Sequence, residues 1–126
     1  MIVFIGGQKF DEEALRQTLL MMQGTDATVL TGTGRGFEQR VGELCDIFEI
    51  PCEIEEPREE EDYKDVTGTK HGPGKSLMQV NRFVFDPRAT KVYTSGNGVR
   101  HNKVMDCYRR FPFSEKYLPT LEVVGS

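Results

Sequence analysis

Short apolar runs alternate with amphipathic stretches along this chain, and the first two runs lead into glycine turns. Ile2-Val3-Phe4-Ile5 is continuously apolar, which suits a central strand of a parallel sheet covered on both faces. Asp11 then predicts a helix cap, and Leu15, Leu19 and Met22 recur at near-helical spacing until Gly24, with Glu12 and Glu13 placed against the positive end of the helix dipole. Ala27–Leu30 is a second apolar run. Phe37, Val41, Leu44 and Phe48 follow at intervals of 4, 3 and 4, the stripe of a helix packed on a sheet. Pro51–Ile54 is a shorter strand with charged flanks, expected near an edge.

The second half repeats the alternation. Glu55–Asp65 is acidic, broken by Pro57, and lacks the apolar residues of a packed element, so it is expected as an exposed loop. A Gly- and Pro-rich stretch, Thr67–Lys75, leads to a helix with Leu77, Val80 and Val84 on its apolar side, closed by Pro87. Lys91–Thr94 is a fourth strand, Ser95–Gly98 a turn, and Val104, Tyr108 and Phe111 mark the core face of a last helix before a fifth strand at Leu121–Val124. Strand, helix, strand in this order predicts a single α/β domain over residues 1–126. The expected form is a Rossmann-like three-layer α/β/α sandwich with right-handed crossovers and a mainly parallel five-stranded sheet in the order 3-2-1-4-5.

Composition narrows the class. At 37% apolar and 29% charged residues, the 126-residue chain has the balance of a soluble globular protein, and no apolar run approaches the length of a membrane span. The N-terminal run has no basic lead-in and meets glycine at once, unlike a signal peptide, so a cytoplasmic protein without membrane contact is expected. Cys45, Cys52 and Cys107 are odd in number and lack C-x-x-C spacing, which favours free thiols over a disulfide framework or a zinc site. Residues 1–65 carry a net charge of −10 and residues 66–126 a net charge of +6, together the chain's −4. Such asymmetry fits an electropositive cleft on an acidic protein, or oppositely charged surfaces meeting within the fold or between subunits. Acidic runs disfavour direct contact with nucleic acid.

Candidate chemistry lies in the turns. An open parallel sheet binds ligands beyond the carboxyl ends of its strands, where successive crossovers leave in opposite directions. The order 3-2-1-4-5 sets Gly6-Gly7-Gln8 and Ser95-Gly96-Asn97-Gly98 across that point, with Gly32-Thr33-Gly34-Arg35-Gly36 beside them. Strand, glycine turn and helix in succession present backbone N–H groups and helix N-termini to an anion such as phosphate. Arg35 adds a guanidinium fork, and Lys75 with Ser76 at a helix entry adds a second cation.

Familiar nucleotide motifs are not met. The third glycine of Gly32–Gly36 comes one residue early for G-x-G-x-x-G, which lowers the prospect of NAD. Thr69 stands where the P-loop pattern ending in Gly74-Lys75-Ser76 requires its first glycine. His71 and His101 have no cysteine or carboxylate cluster at ligand spacing, so neither metal nor another cofactor is called for. Ser76 and Ser95 lack the G-x-S-x-G elbow.

Taken in order, Gly6-Gly7, Phe10-Asp11, Thr31-Gly32-Thr33-Gly34-Arg35-Gly36-Phe37-Glu38, Gly72-Pro73-Gly74-Lys75 and Thr94-Ser95-Gly96-Asn97-Gly98 resemble the SLOG superfamily from about Ile2 to Phe111. The likeness is to its small YspA-like members, relatives of the lysine-decarboxylase-like (LOG) enzymes and the DNA-processing-protein-A-like proteins. It implies that Gly32, Gly34, Arg35, Gly36 and Glu38 stand for a G-G-A-R-G-A-D loop and that Gly96 and Gly98 stand for a P-G-G-x-G-T turn. Gln8 and Val99 depart from an arginine and a threonine of the pattern. Asn102 occupies the place of the glutamate that the related glycosidases need, and an amide cannot exchange that proton. The resemblance therefore implies a module that senses or sequesters a nucleotide-like small molecule, assembled as a homo-oligomer. Two alternatives stay open: a nucleotide-processing enzyme such as a nucleoside 5'-monophosphate N-glycosidase, using Glu38 or another carboxylate, and a ligand-free oligomeric accessory or interaction protein of a phage or bacterium.

Overall fold

A computed structural model of the chain describes residues 1–58, 74–110 and 118–125, with the side chains of residues 74–76 outside the description. Among the described residues nine elements follow one another: β1 (Ile2–Ile5), α1 (Glu12–Leu20), β2 (Val29–Thr31), α2 (Phe37–Ile47), β3 (Cys52–Ile54), α3 (Gly74–Val84), β4 (Lys91–Thr94), α4 (Val99–Arg110) and β5 (Thr120–Val123). Every strand pairs in parallel, in the order β3-β2-β1-β4-β5. The expected Rossmann-like α/β architecture and its strand order are thus observed.

The sheet divides two apolar layers because successive side chains on a strand point to opposite faces. Phe4, Val29 and Tyr93 join Leu15 and Leu19 of α1 and Phe37, Val41 and Leu44 of α2 on one side. Val3, Ile5, Leu30 and Val92 join Val80, Phe83 and Val84 of α3 and Val104 of α4 on the other. Phe4 stacks on Tyr93 with ring centroids 5.0 Å apart, and Phe37 lies 6.1 Å from Phe4. Truncating a buried ring such as Phe37 to alanine typically costs about 3–5 kcal/mol.

Boundaries move where polar groups decide them. The second strand starts two residues later than its apolar run and ends on Thr31, whose buried hydroxyl donates to the Phe4 carbonyl at 2.8 Å. The fifth strand is likewise displaced by one residue, and Val124 continues its pairing by donating to the Thr94 carbonyl. Asp11 caps α1 as expected, its carboxylate accepting from the Ala14 amide at 3.0 Å. Most of the expected acidic loop, with His71 and Phe111, lies outside the described residues.

Candidate functional site

Because β1 lies between β2 and β4, the crossovers leaving β1 and β4 depart to opposite faces of the sheet. A cleft of ≈ 450 Å³ opens at their carboxyl ends, lined by Gly6–Lys9 after β1, Gly34 and Arg35 after β2, and Asn97–Arg100 after β4. All three glycine turns therefore contribute to one opening. Close approach is what glycine permits here: a Cβ on Gly6 would lie 2.5 Å from Ser95 Cβ and 2.6 Å from a Phe37 ring carbon. At Gly98, φ is +101° and the Gly7 Cα sits 3.0 Å from where a side chain would begin.

The structure corrects one expectation about the turns. The Gly6 and Gly7 amides are not presented to the cleft, for Gly6 N–H donates to Glu38 Oε2 at 3.1 Å and Gly7 N–H to Ser95 Oγ at 3.0 Å. Ser95 Oγ–H in turn donates to the Asn97 carbonyl at 2.9 Å, so this buried serine braces the two turns against each other. The start of α2 is closed in the same way, with Phe37 N–H donating to the Gly7 carbonyl. At α4 the Asn102 amide donates to the Gly98 carbonyl at 2.9 Å, the bond that opens the helix just beyond the glycine turn. Val99 and Arg100 line the cleft, and no acidic residue occupies that turn. By contrast α1 opens on Asp11, Glu12 and Glu13. An anion is better accommodated at α4.

Two cations border the same opening. Arg35 and Lys9 are exposed and make no hydrogen bond or ion pair among the described residues. Lys9 was missed from sequence, although its place two residues after Gly7 put it on the turn. Among the described lining residues there is no carboxylate.

Beneath the cleft lies a charged network whose two ionic members sit on the buried stripes of α2 and α4. Glu38 is fully buried, and Arg100 bonds it twice, Nε to Oε2 at 2.5 Å and Nη2 to Oε1 at 2.9 Å. The same Nη2 reaches Gln79 Oε1 at 2.8 Å, and Gln79 Nε2 donates to the Glu55 carbonyl at 2.7 Å. Glu38 shares a helical face with Val41 and Cys45, at offsets of 3 and 7, and Arg100 shares one with Val104 and Cys107, at offsets of 4 and 7. A charge on each buried stripe, opposite in sign, was the available signal. Among the described residues every buried side-chain polar atom is satisfied.

The remaining expected residues are scattered around the opening. Gly32 and Thr33 border a separate depression of ≈ 570 Å³ with Gln39, Glu43 and Ile54. Gly36 packs on the Gln8 backbone, and exposed Gly96 sits beside Val123. Glu38 is buried against Arg100 and does not line the cleft, and it borders the second depression beside Gly32 and Thr33. Lys75 belongs to the first turn of α3 with its side chain outside the described residues. Exposed Asn102 lies a turn beyond Gly98 and does not line the cleft. Thr94 Oγ1 shares a hydrogen bond with His101 Nδ1 at 2.9 Å, and burial pulls that imidazole below its ordinary 6.5. Among the described residues no group of three or more His, Cys, Asp or Glu side chains could hold a metal, and no helix is long and apolar enough to cross a membrane. No protein-family model, curated protein or solved structure matches this chain, and its chemistry is read from these residues.

Proposed function

We propose that the chain is a binding module of SLOG type that senses or sequesters a nucleotide or nucleotide-derived ligand. The observation that carries this reading is the meeting of three glycine turns in one cleft at the switch point, bordered by the exposed cations Lys9 and Arg35 and by the first turn of α4. A volume of ≈ 450 Å³ falls in the range of about 300–1,000 Å³ usual for small-molecule sites. Its lining of glycine backbone, Val99 and a few polar groups suits a planar base and sugar with an anionic end. In this reading the phosphate sits at the start of α4 with Lys9 and Arg35 around it. The absence of a carboxylate among the described lining residues favours holding a ligand over cleaving an N-glycosidic bond.

A thermal-shift panel of nucleoside mono-, di- and triphosphates and cyclic nucleotides tests the proposal. A ligand present at one hundred times its Kd stabilises the folded state by about 2.7 kcal/mol, which is a readily measured rise in Tm. If no member of the panel moves Tm, and gently purified protein releases no small molecule absorbing near the nucleobase maximum, the reading is wrong.

A further inference from the structure

We propose that Cys45 and Cys52 are a reversible modification site, a thiol pair that a hydroperoxide oxidises to a disulfide between α2 and β3. The inference is independent of what occupies the cleft. Helix and strand run in opposite directions in this unit, and their register is fixed by Ile54, whose Cδ1 lies 3.0 Å from where a Cβ on Gly42 would stand. Three residues along α2 from Gly42 is Cys45, an advance of about 4.5 Å, and two residues back along β3 from Ile54 is Cys52, about 6.6 Å. Ile54 and Cys52 lie on the same side of the strand, so the contact at Gly42 brings Cys52 onto Cys45. Both cysteines belong to the same apolar layer. The pair is unequal: Cys45 is 1% exposed, whereas Cys52 is only partly buried.

Their mutual contact separates two roles. The nearness of the two thiols holds Cys45 above the usual thiol range and draws Cys52 below it, so Cys52, whose Sγ also lies 4.0 Å from the Glu53 carbonyl, is the more readily ionised sulfur. The Cys52 thiolate attacks an oxygen of the hydroperoxide and the O–O bond breaks. The alcohol, or water from hydrogen peroxide itself, leaves, and Cys52 becomes a sulfenic acid. Cys45 sulfur then attacks Cys52 sulfur, the S–O bond breaks, and hydroxide leaves with the Cys45 proton as water. In sum, two thiols and one hydroperoxide give one disulfide, one alcohol and one water. Cys107 takes no part: it is buried on the opposite layer, its thiol is pushed up by that burial, and it donates to Asn81 Oδ1 at 3.0 Å.

Peptide mapping of the intact chain after hydrogen peroxide is the test. Both cysteines fall in the tryptic segment Val41–Arg58, and Glu49 lies between them. The expected result is that this segment loses the mass of two hydrogens and that cleavage after Glu49 leaves its halves joined until dithiothreitol is added. The Cys107→Ser chain behaves identically, and Cys45→Ser retains a Cys52 sulfenic acid that dimedone traps. Two alkylated cysteines in Val41–Arg58 of the peroxide-treated wild type would overturn the proposal, as would a disulfide joining two chains. Because the decisive readout uses the unaltered chain, it does not depend on any variant folding. Failure here would leave the thermal-shift result untouched.

Discussion

Two arginine–carboxylate constellations in this fold have similar geometry and opposite weight. Arg88 Nη2 lies 2.9 Å from Asp86 Oδ2 and its Nη1 lies 3.4 Å from Glu53, yet the Arg88 and Glu53 side chains are 52% and 48% exposed, and only Asp86, at 14%, is mostly covered. Arg100 meets Glu38 at 2.5 Å and 2.9 Å, with side chains 10% and 0% exposed. Two unit charges 4 Å apart attract by about 1 kcal/mol in water and about 4 kcal/mol at the effective dielectric of a protein site. Distance is therefore not what distinguishes the pairs. The buried pair also holds the Gly6 amide and Gln79, and through Gln79 the carbonyl of Glu55, so it fastens the chain after β1 and β3 to α2, α3 and α4. Removing one member of the surface pair exposes the other to water, whereas removing one member of the buried pair strands a charge.

The sharpest test of that contrast is Glu38→Gln. Taking the opposite charge from buried Arg100 is expected to cost about 3–5 kcal/mol, read as a lowered urea midpoint at unchanged slope, and Arg100→Met should cost a similar amount by leaving the buried Glu38 carboxylate without its guanidinium. The double variant should lose distinctly less than the sum, since neither charge remains. Additive losses would mean that the two side chains do not act as one unit. A near-neutral Glu38→Gln would mean that the network is no strut.

How far sequence could lead depends on which physics sets each feature. Element order, sheet order and the burial of Leu15, Val41, Val80 and Val104 follow from periodic burial, which is written locally in apolar spacing. The meeting of Gly6, Gly34 and Gly98 at one cleft follows from topology, and strand order was enough to place it. What stayed hidden were hydrogen-bond partners across long separations. Nothing near Gly6 or Gly7 announces that their amides are claimed by Glu38, 32 residues on, and Ser95, 88 residues on. Glu38 drew attention because the family resemblance sets it in place of the loop's aspartate, and only the fold shows Arg100 arriving from α4 to hold it. Arg100 itself was legible in part, as a cation on a buried stripe, but a stripe does not name its partner.

A third arginine extends the contrast to function. Arg35 is exposed, unlike Arg100, and makes no ion pair among the described residues, unlike Arg88. If it serves a ligand, Arg35→Ala should leave the urea midpoint of the free protein unchanged and weaken nucleotide binding about 5- to 30-fold, the equivalent of about 1–2 kcal/mol for a charged hydrogen bond. Calorimetric titration of wild type and variant separates the two readouts. Unchanged affinity would remove Arg35 from the site while leaving the cleft itself to be judged by the panel.

His101 lies between the extremes, half-buried against Thr94 with its imidazole held below 6.5 by burial. The unfolded chain takes up the proton first, because its histidine keeps the higher value. The resulting stability is therefore complete above about pH 6.5 and declines as the pH falls through that value toward the lower one of the folded state. Urea midpoints measured from pH 7.5 down to pH 5.5 should fall in wild type and flatten in His101→Gln. A wild-type slope that survives the substitution would assign the effect to another group. The change should be smaller than any produced at Glu38.

The smallest effect is expected where an inventory of ion pairs would look richest. Arg88 faces both Asp86 and Glu53, yet Arg88→Ala should leave the urea midpoint at neutral pH within measurement error, because exposed pairs are screened and their long side chains lose freedom when held. What survives the substitution explains why. Asp86 Oδ1 also accepts from the Arg88 backbone amide at 2.9 Å, and Ala89 N–H donates to the Asp86 carbonyl at 2.9 Å, so the turn into β4 keeps its bonds when the guanidinium is gone. Asp86→Ala removes the acceptor of the first of these and should therefore destabilise more than Arg88→Ala, reversing what a tally of guanidinium contacts suggests. Acid gives a second reading. Arg88 holds the Asp86 carboxyl below its ordinary 3.8, which adds stability above that value that is lost as the pH drops through the lower folded one. In Arg88→Ala that acid limb should flatten, and the stability lost at neutral pH should be no larger than the small increment the limb represents. A drop at neutral pH comparable to that of Glu38→Gln would show that burial is not what separates the two pairs.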